Sequence, residues 1–239
     1  MNRRQIFRLL VLLPFFMLHF SCGVNCIEGE GEAVSDKRPV DGARGILLDI
    51  DADVSVIKGA IEVINIVAQQ NVLEKIKTDV DGGVLEISSR SCFANHEPIK
   101  IVVTLPDIEE LELNGSGRIW VPDTFAVDEL KLTLNGSGTI DGKFIAAGIE
   151  SDLRGSGSIL LAGSANIQDV VIAGSGNVLA QKLPCNEATV KLVGSGNASV
   201  YAIRELDVKI TGNGTVQYRG KPELSSKVVG SGKVEDDNR

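Results

Sequence analysis

Four groups of residues have the types and spacing to do chemistry. Asp49, Asp51 and Asp53 alternate with Leu48, Ile50, Ala52 and Val54, so an extended strand would place three carboxylates on one face. Such a face is either a calcium site or, in the reading preferred, the solvated outside of a strand. It is not an EF-hand loop, because Val54 stands where that loop needs glycine and Ala60 where it needs a bidentate glutamate. Lys191, Lys209 and Lys227 recur at one position of the repeats described below. They form either a basic stripe for an acidic glycan or, as preferred, a charged strand edge that discourages aggregation. His96 follows Cys92 by four residues in the segment SRSCFANHEP, and a Cys/His pair at that spacing in a loop is read as incidental. Trp120 lies between Ile119 and Val121. Alternation turns its indole outward, where it is the candidate for stacking on a sugar ring, although single exposed aromatics are also ordinary.

None of these groups composes a catalytic set. The chain has no CxxC pair and no Cys/His spacing suited to zinc. Its Gly-Ser-Gly segments lack the following Lys-Ser/Thr and helix of a phosphate loop. They also lack the GGxGxD of calcium-binding solenoids, and their period is twice too long. The expectation is a protein without catalysis, cofactor or resident metal.

The elements that must position these residues announce themselves by repetition. Gly-Ser-Gly occurs at 115–117, 136–138, 155–157, 174–176, 194–196 and 230–232, with Gly-Asn-Gly at 212–214. Two residues before the first glycine of each copy stand Leu113, Leu134, Leu153, Ile172, Leu192, Ile210 and Val228. Four residues after it stand Ile119, Ile140, Ile159, Val178, Ala198, Val216 and Val234. The column between, from Arg118 to Lys233, is polar throughout. A unit of about 19 residues cannot bury its own apolar face, but units stacked in register make one continuous interior. The glycines then mark a corner that every coil turns at the same place, since glycine reaches positive φ at no steric cost. Serine hydroxyls between them are expected to form an outward ladder. The fold class expected is all-β, a right-handed parallel β-helix of about ten coils, preferred to a sandwich or barrel because the columns stay aliphatic across seven copies.

Upstream, ILLDIDADVSVIKG, IEVINIVAQQ, GVLEISS and IKIVVTLPD are short alternating runs between turn signals. VLEKIK (72–77) is either one helical turn or another strand. Residues 22–42 are polar and glycine-bearing and are read as a tether, leaving 43–239 as the solenoid. Residues 1–21 are read as a signal peptide: Arg3, Arg4 and Arg8 precede an apolar stretch, Leu9–Leu18, too short to span a bilayer. The following Leu18-His19-Phe20-Ser21-Cys22-Gly23 resembles the lipobox of bacterial lipoproteins, with His19 where leucine is usual. That resemblance implies lipidation, palmitate included, of Cys22. Ordinary secretion with Cys22 unmodified is the alternative.

Loss of residues 1–21 removes three arginines and no acid, so the formal charge of −8 becomes −11. An acidic chain without a Lys/Arg cluster is a poor nucleic-acid binder, and membrane attachment would come through lipid. With Cys22 lipidated, Cys26, Cys92 and Cys185 allow one disulfide, and an exported chain can form it. The pairing is left open by the sequence, with Cys26–Cys92 preferred because both lie in irregular segments.

Together the lipobox-like start, the strands of 44–105, the segment LPDIEELELNGSG and the Gly-Ser-Gly array resemble the "putative auto-transporter adhesin, head GIN domain" family. The resemblance covers about residues 40–234. It implies an exported β-helical, adhesin-like protein at the outer membrane of a Gram-negative bacterium, facing periplasm or cell surface. The expected partners are the membrane, through lipid, and a glycan or protein at the cell surface. The alternatives are a polysaccharide lyase or hydrolase on the same scaffold, which requires a groove with converging carboxylates and a basic residue, and a purely structural envelope component.

Overall fold

The computed structural model describes residues 26–238. Cys22 and the segment read as a signal peptide lie outside the described residues. The strands run, in order, β1 (Ile27–Glu28), β2 (Ala33–Pro39), β3 (Gly45–Leu48), β4 (Asp53–Lys58), β5 (Val63–Gln69), β6 (Lys77–Asp81), β7 (Val84–Ser88), β8 (Phe93–Ala94), β9 (Lys100–Leu105) and β10 (Glu110–Gly115). There follow β11 (Arg118–Gly136), β12 (Thr139–Gly155), β13 (Ser158–Gly174), β14 (Asn177–Gly194), β15 (Asn197–Gly212), β16 (Thr215–Arg219), β17 (Glu223–Gly230) and β18 (Lys233–Asp236). One helical turn, α1 (Gln70–Leu73), follows β5.

From β10 onward the chain is a solenoid of parallel strands. β11 to β15 each make most of a coil and pair along their length with the coils on either side. The columns anticipated from the repeats are vertical neighbours: Leu113 pairs with Leu134, Leu134 with Leu153, Leu153 with Ile172, and Ile172 with Leu192. Each of these leucines and isoleucines is buried. Phe125 and Phe144 stack in the same interior. Two polar residues break it: Gln168, fully buried, occupies the column of Leu130, Ile149, Ala188 and Leu206, and Ser151, also fully buried, occupies that of Leu132, Val170 and Val190.

The corner explains the glycines twice over. At Gly174 φ is +134°, and an added Cβ would lie 2.4 Å from the carbonyl oxygen of Gly155 in the coil below. At Gly176 φ is ordinary, but a Cβ would lie 2.4 Å from a Leu153 methyl carbon and 2.6 Å from the Gly157 carbonyl oxygen. Coils approach this closely because the N–H groups of Ser175 and Gly176 both donate to the Gly155 carbonyl, at 2.9 and 3.0 Å. Serine contributes its backbone, and its side chain is exposed. The side-chain ladders beside the corners are of asparagine instead: Asn135 donates to Asn114 and Asn197 to Asn177, each at 2.9 Å.

The expected ten coils are corrected to about seven turns, because residues 33–105 do not wind onward in simple order. β7 and β9 form the layer beneath β3 and β4, although they come later in the chain, and the chain then crosses to β10 above. β5 closes on β9 antiparallel, β2 on β5, and β6 on β7. These antiparallel strands, with α1, cap one end of the rod. VLEKIK is accordingly divided, its Val72 and Leu73 in α1 and its Lys77 in β6.

The tether reading of 22–42 is also corrected from Cys26 onward. β2 pairs along its whole length with β5, and the stretch before it is held by side-chain amides. Asn71 donates to the Glu28 carbonyl (2.7 Å) and accepts from the Glu30 N–H (3.0 Å), while Gln69 donates to the Gly31 carbonyl (3.0 Å). Cys26 and Cys92 form the preferred disulfide. Polar clamps of this kind leave no apolar period in the sequence that they hold.

Candidate functional site: the outward columns

Stacking in register gives the outside of the rod columns as regular as those inside. Trp120 stands in one of them. It is 43% exposed, and its column runs from Ser55 through Trp120, Asp141, Leu160 and Leu179 to Ser199. The guanidinium of Arg118 lies over the indole at 6.0 Å from the ring centroid and pairs with Asp141 at 3.3 Å. This cation–π contact and ion pair orient the indole. Beyond it, the strands shift register after Leu160 and Leu179. The bulge opens a cavity of about 260 Å³ lined by Asp141, Leu160, Ala162, Leu179 and Lys182 among others. An aromatic plate, an acid–base pair and an apolar shelf thus share one face, with the chemistry to hold a ring that has one apolar side and polar edges.

The lysine column also forms as spaced in the sequence. Lys191 pairs with Lys209 and Lys209 with Lys227. Lys209 reaches Asp207 at 3.1 Å, a neighbour on its own strand. Four residues upstream in the same strands runs an opposite column, Glu187, Glu205 and Glu223.

Asp49, Asp51 and Asp53 are exposed and alternate with buried Leu48, Ile50, Ala52 and Val54, but they do not share one straight strand. Register aligns Leu48 with Leu113 and Asp53 with Arg118, so Asp49 to Ala52 turn the corner that Asn114 to Gly117 turn in the coil above. Asp51 and Asp53 instead meet His96 and Pro98 around a cleft of about 250 Å³. His96 Nδ1 lies 2.7 Å from the Glu97 carbonyl, a partner that only accepts, so that nitrogen carries the proton. The Cys/His pair is not a nucleophile and its base, since Cys92 is bound to Cys26. Cys185 is buried, its Sγ 3.4 Å from the Tyr201 carbonyl, and burial pushes the thiol up to about 12. Among the described residues no group of three His, Cys, Asp or Glu side chains is placed to hold a metal ion.

One cluster has no counterpart in the sequence reading. Asp107, Glu109, Asp128, Glu129 and Glu150 line a cleft of about 330 Å³ together with Lys131. Its members come from the neighbouring strands β11 and β12 and from the loop between β9 and β10, and only the register reveals that they meet. Lys131 donates to Glu110 at 2.8 Å, and that hydrogen bond, with the surrounding carboxylates, raises its pKa. An amine held protonated this way cannot accept a proton from a sugar carbon at neutral pH. Among the described residues no helix is long and apolar enough to cross a membrane.

Several solved structures share the architecture. A "putative adhesin" of Bacteroides fragilis superposes with a TM-score of 0.84 at 21% identity, covering 88% of this chain and 99% of its own. A "putative lipid binding protein" of Parabacteroides distasonis gives 0.76 at 23% identity, covering 89% and 99%. A "putative adhesin" of Parabacteroides merdae gives 0.72 at 22%, covering 88% and 98%. Among curated proteins no match is found. The family model described as "Putative auto-transporter adhesin, head GIN domain" matches residues 44–222, and the chain belongs to the head GIN domain family.

Proposed function

We propose that this chain is an exported surface or envelope module that works by binding, without catalysis, and is anchored by lipid on Cys22 to the outer membrane. The observation that carries the binding reading is the outward column of Trp120, Asp141, Leu160 and Leu179, held in fixed register by a backbone ladder. Its ligand class is a glycan: the indole takes the apolar side of a sugar ring, and Asp141 and Arg118 take hydroxyls at its edge. A stiff rod presents the same face at every encounter, so little ordering entropy is lost on contact, and copies clustered on a membrane sum weak contacts. The disulfide between Cys26 and Cys92 supports export, since such bonds persist in oxidising compartments.

Two experiments test the two halves. Fatty-acid labelling of cells is expected to mark the wild-type chain and not Cys22→Ser; equal labelling would end the anchor. Glycan-array binding is expected to weaken about tenfold in Trp120→Ala, the scale of one aromatic stacking contact. Unchanged binding would move the site elsewhere. Turnover of an acidic polysaccharide, lost in Asp51→Asn or Glu150→Gln, would replace the binding reading with the enzyme on the same scaffold.

A further inference from the structure

We propose that the outer edge of β17 is a self-pairing interface, through which two copies join open end to open end about a dyad at Ser225. β17 pairs with β15 on one side, and among the described residues no strand pairs with its other side. The apolar columns of the rod arrive at this edge uncovered. Val228 is 39% exposed, whereas Leu192 and Ile210 beneath it are 1% exposed. Leu224 is 40% exposed, whereas Leu206 beneath it is 1% exposed. An exposed strand edge with apolar side chains is a template for another strand.

The charges select the partner and its direction. Glu223 stacks on Glu205 and Glu187, and Lys227 on Lys209 and Lys191. A parallel strand from another copy, continuing the winding, would extend both columns with like charge, which opposes pairing. An antiparallel copy of β17 reverses the order. With the dyad at Ser225, Glu223 faces the second copy's Lys227 and Lys227 its Glu223, so each column ends on its opposite. The same register keeps even-numbered residues opposite even-numbered ones. Leu224, Ser226 and Val228 therefore stay on the interior face, as the two-residue side-chain period demands. A dyad one residue later, at Ser226, keeps the interior but sets Glu223 against Val229 and leaves both charges unmatched. At the capped end the edge strands are blunted: β2 carries Asp36, Lys37 and Arg38 and finishes in Pro39, which removes a ladder donor, and β6 carries Lys77, Asp79 and Asp81.

Sedimentation of the full chain over a concentration series, with Ser225→Cys and Ser226→Cys compared under mild oxidation, tests this. The expected result is a monomer–dimer equilibrium and a dimer locked by a disulfide in Ser225→Cys, since only the residue on the dyad faces itself. Lys227→Glu is expected to weaken association at least tenfold, because the change enters twice per dimer, and Glu223→Lys added to it is expected to restore association. A chain that is monomeric throughout overturns the interface. A dimer indifferent to Lys227→Glu, or locked by Ser226→Cys and not by Ser225→Cys, overturns the pairing and its register. All four positions are exposed, so the variants retain the fold.

Discussion

The two ends of the rod solve the same problem in opposite ways. At one end, β5 and β2 turn antiparallel across β9, β6 turns back on β7, and a disulfide with three amide clamps fastens residues 26–31 over the top. At the other, β17 and β18 simply stop the stack: every residue of β17 is exposed, and charged side chains stand where a cap would be. A solenoid unit cannot bury its last layer by itself. Among the described residues, the closed end buries its last layer and the open end leaves its last layer exposed. Arg219 and Asp237, paired at 2.9 Å, with Asn238 against Gly220, pin the final residues sideways onto the previous coil and leave the edge of β17 clear.

The largest effect that sharpens this contrast is in the glycine corners. Gly174→Ala and Gly230→Ala face the same insult, a positive φ and a Cβ 2.4 Å from a carbonyl oxygen of the coil below. In mid-rod there is a coil on each side, so Gly174→Ala is expected to cost at least about 3 kcal/mol by chemical denaturation. At the open end the last coil can lift locally, and Gly230→Ala is expected to cost less than half as much. Equal costs would mean that the terminal coil is as firmly held as the middle.

Next in size is the closed end. The disulfide spans 66 residues, a loop whose closure entropy corresponds to about 4 kcal/mol. Cys26→Ser with Cys92→Ser is expected to lose roughly 2–4 kcal/mol, with amide exchange accelerating over residues 26–39 and hardly changing from residue 118 on. Uniform loss of protection would show that the cap and the coils unfold as one unit.

Smaller, and of the opposite sign, is the larger of the two interior blemishes between the ends. Gln168 is fully buried with its Nε2 unpaired, and its Oε1 has only the distant Cys185 thiol, at 4.0 Å. Leucine in its place removes an unpaired donor and matches the column, so Gln168→Leu is expected to stabilise by about 1 kcal/mol. Smallest is the response of Cys185 itself. With the thiol pushed up to about 12 by burial, almost no thiolate exists at pH 8. The native chain is expected to resist thiol reagents until it unfolds; rapid labelling would place that coil among the loosely held ones.

The contrast between the ends also governs what could be read from the sequence. From Leu113 to Val228 each coil repeats the last, so spacing alone put Leu134 on Leu153 and the three lysines in line. Trp120 was turned outward by its neighbours, and the Cys26–Cys92 bridge fell between the segments without strand periodicity. Residues 44–105 carry the same alternation without the repeat. Alternation says that Val54 and Ile101 are buried but not that β9 lies beneath β4, nor that β5 runs against it. Those choices are made by long-range pairing. For the same reason the Asp107–Glu150 cleft and the meeting of His96 with Asp51 and Asp53 were invisible, since each depends on which strand lies over which. The acids of 49–53 read as one strand face because nothing in DIDAD marks a corner when the glycines are replaced by Ile50 and Ala52.

The account rests on coils stacked residue for residue, since that register fixes every outward column. Paired cysteines at Asn177 and Asn197, which face each other across β14 and β15, test it most directly. Adjacent strands lie about 4.8 Å apart, within disulfide reach. The Asn177→Cys/Asn197→Cys chain is expected to close a bond on mild oxidation and keep its stability, while Asn177→Cys/Thr211→Cys stays reduced. Failure of the first pair, or closure of the second, would contradict the register and the outward columns built on it.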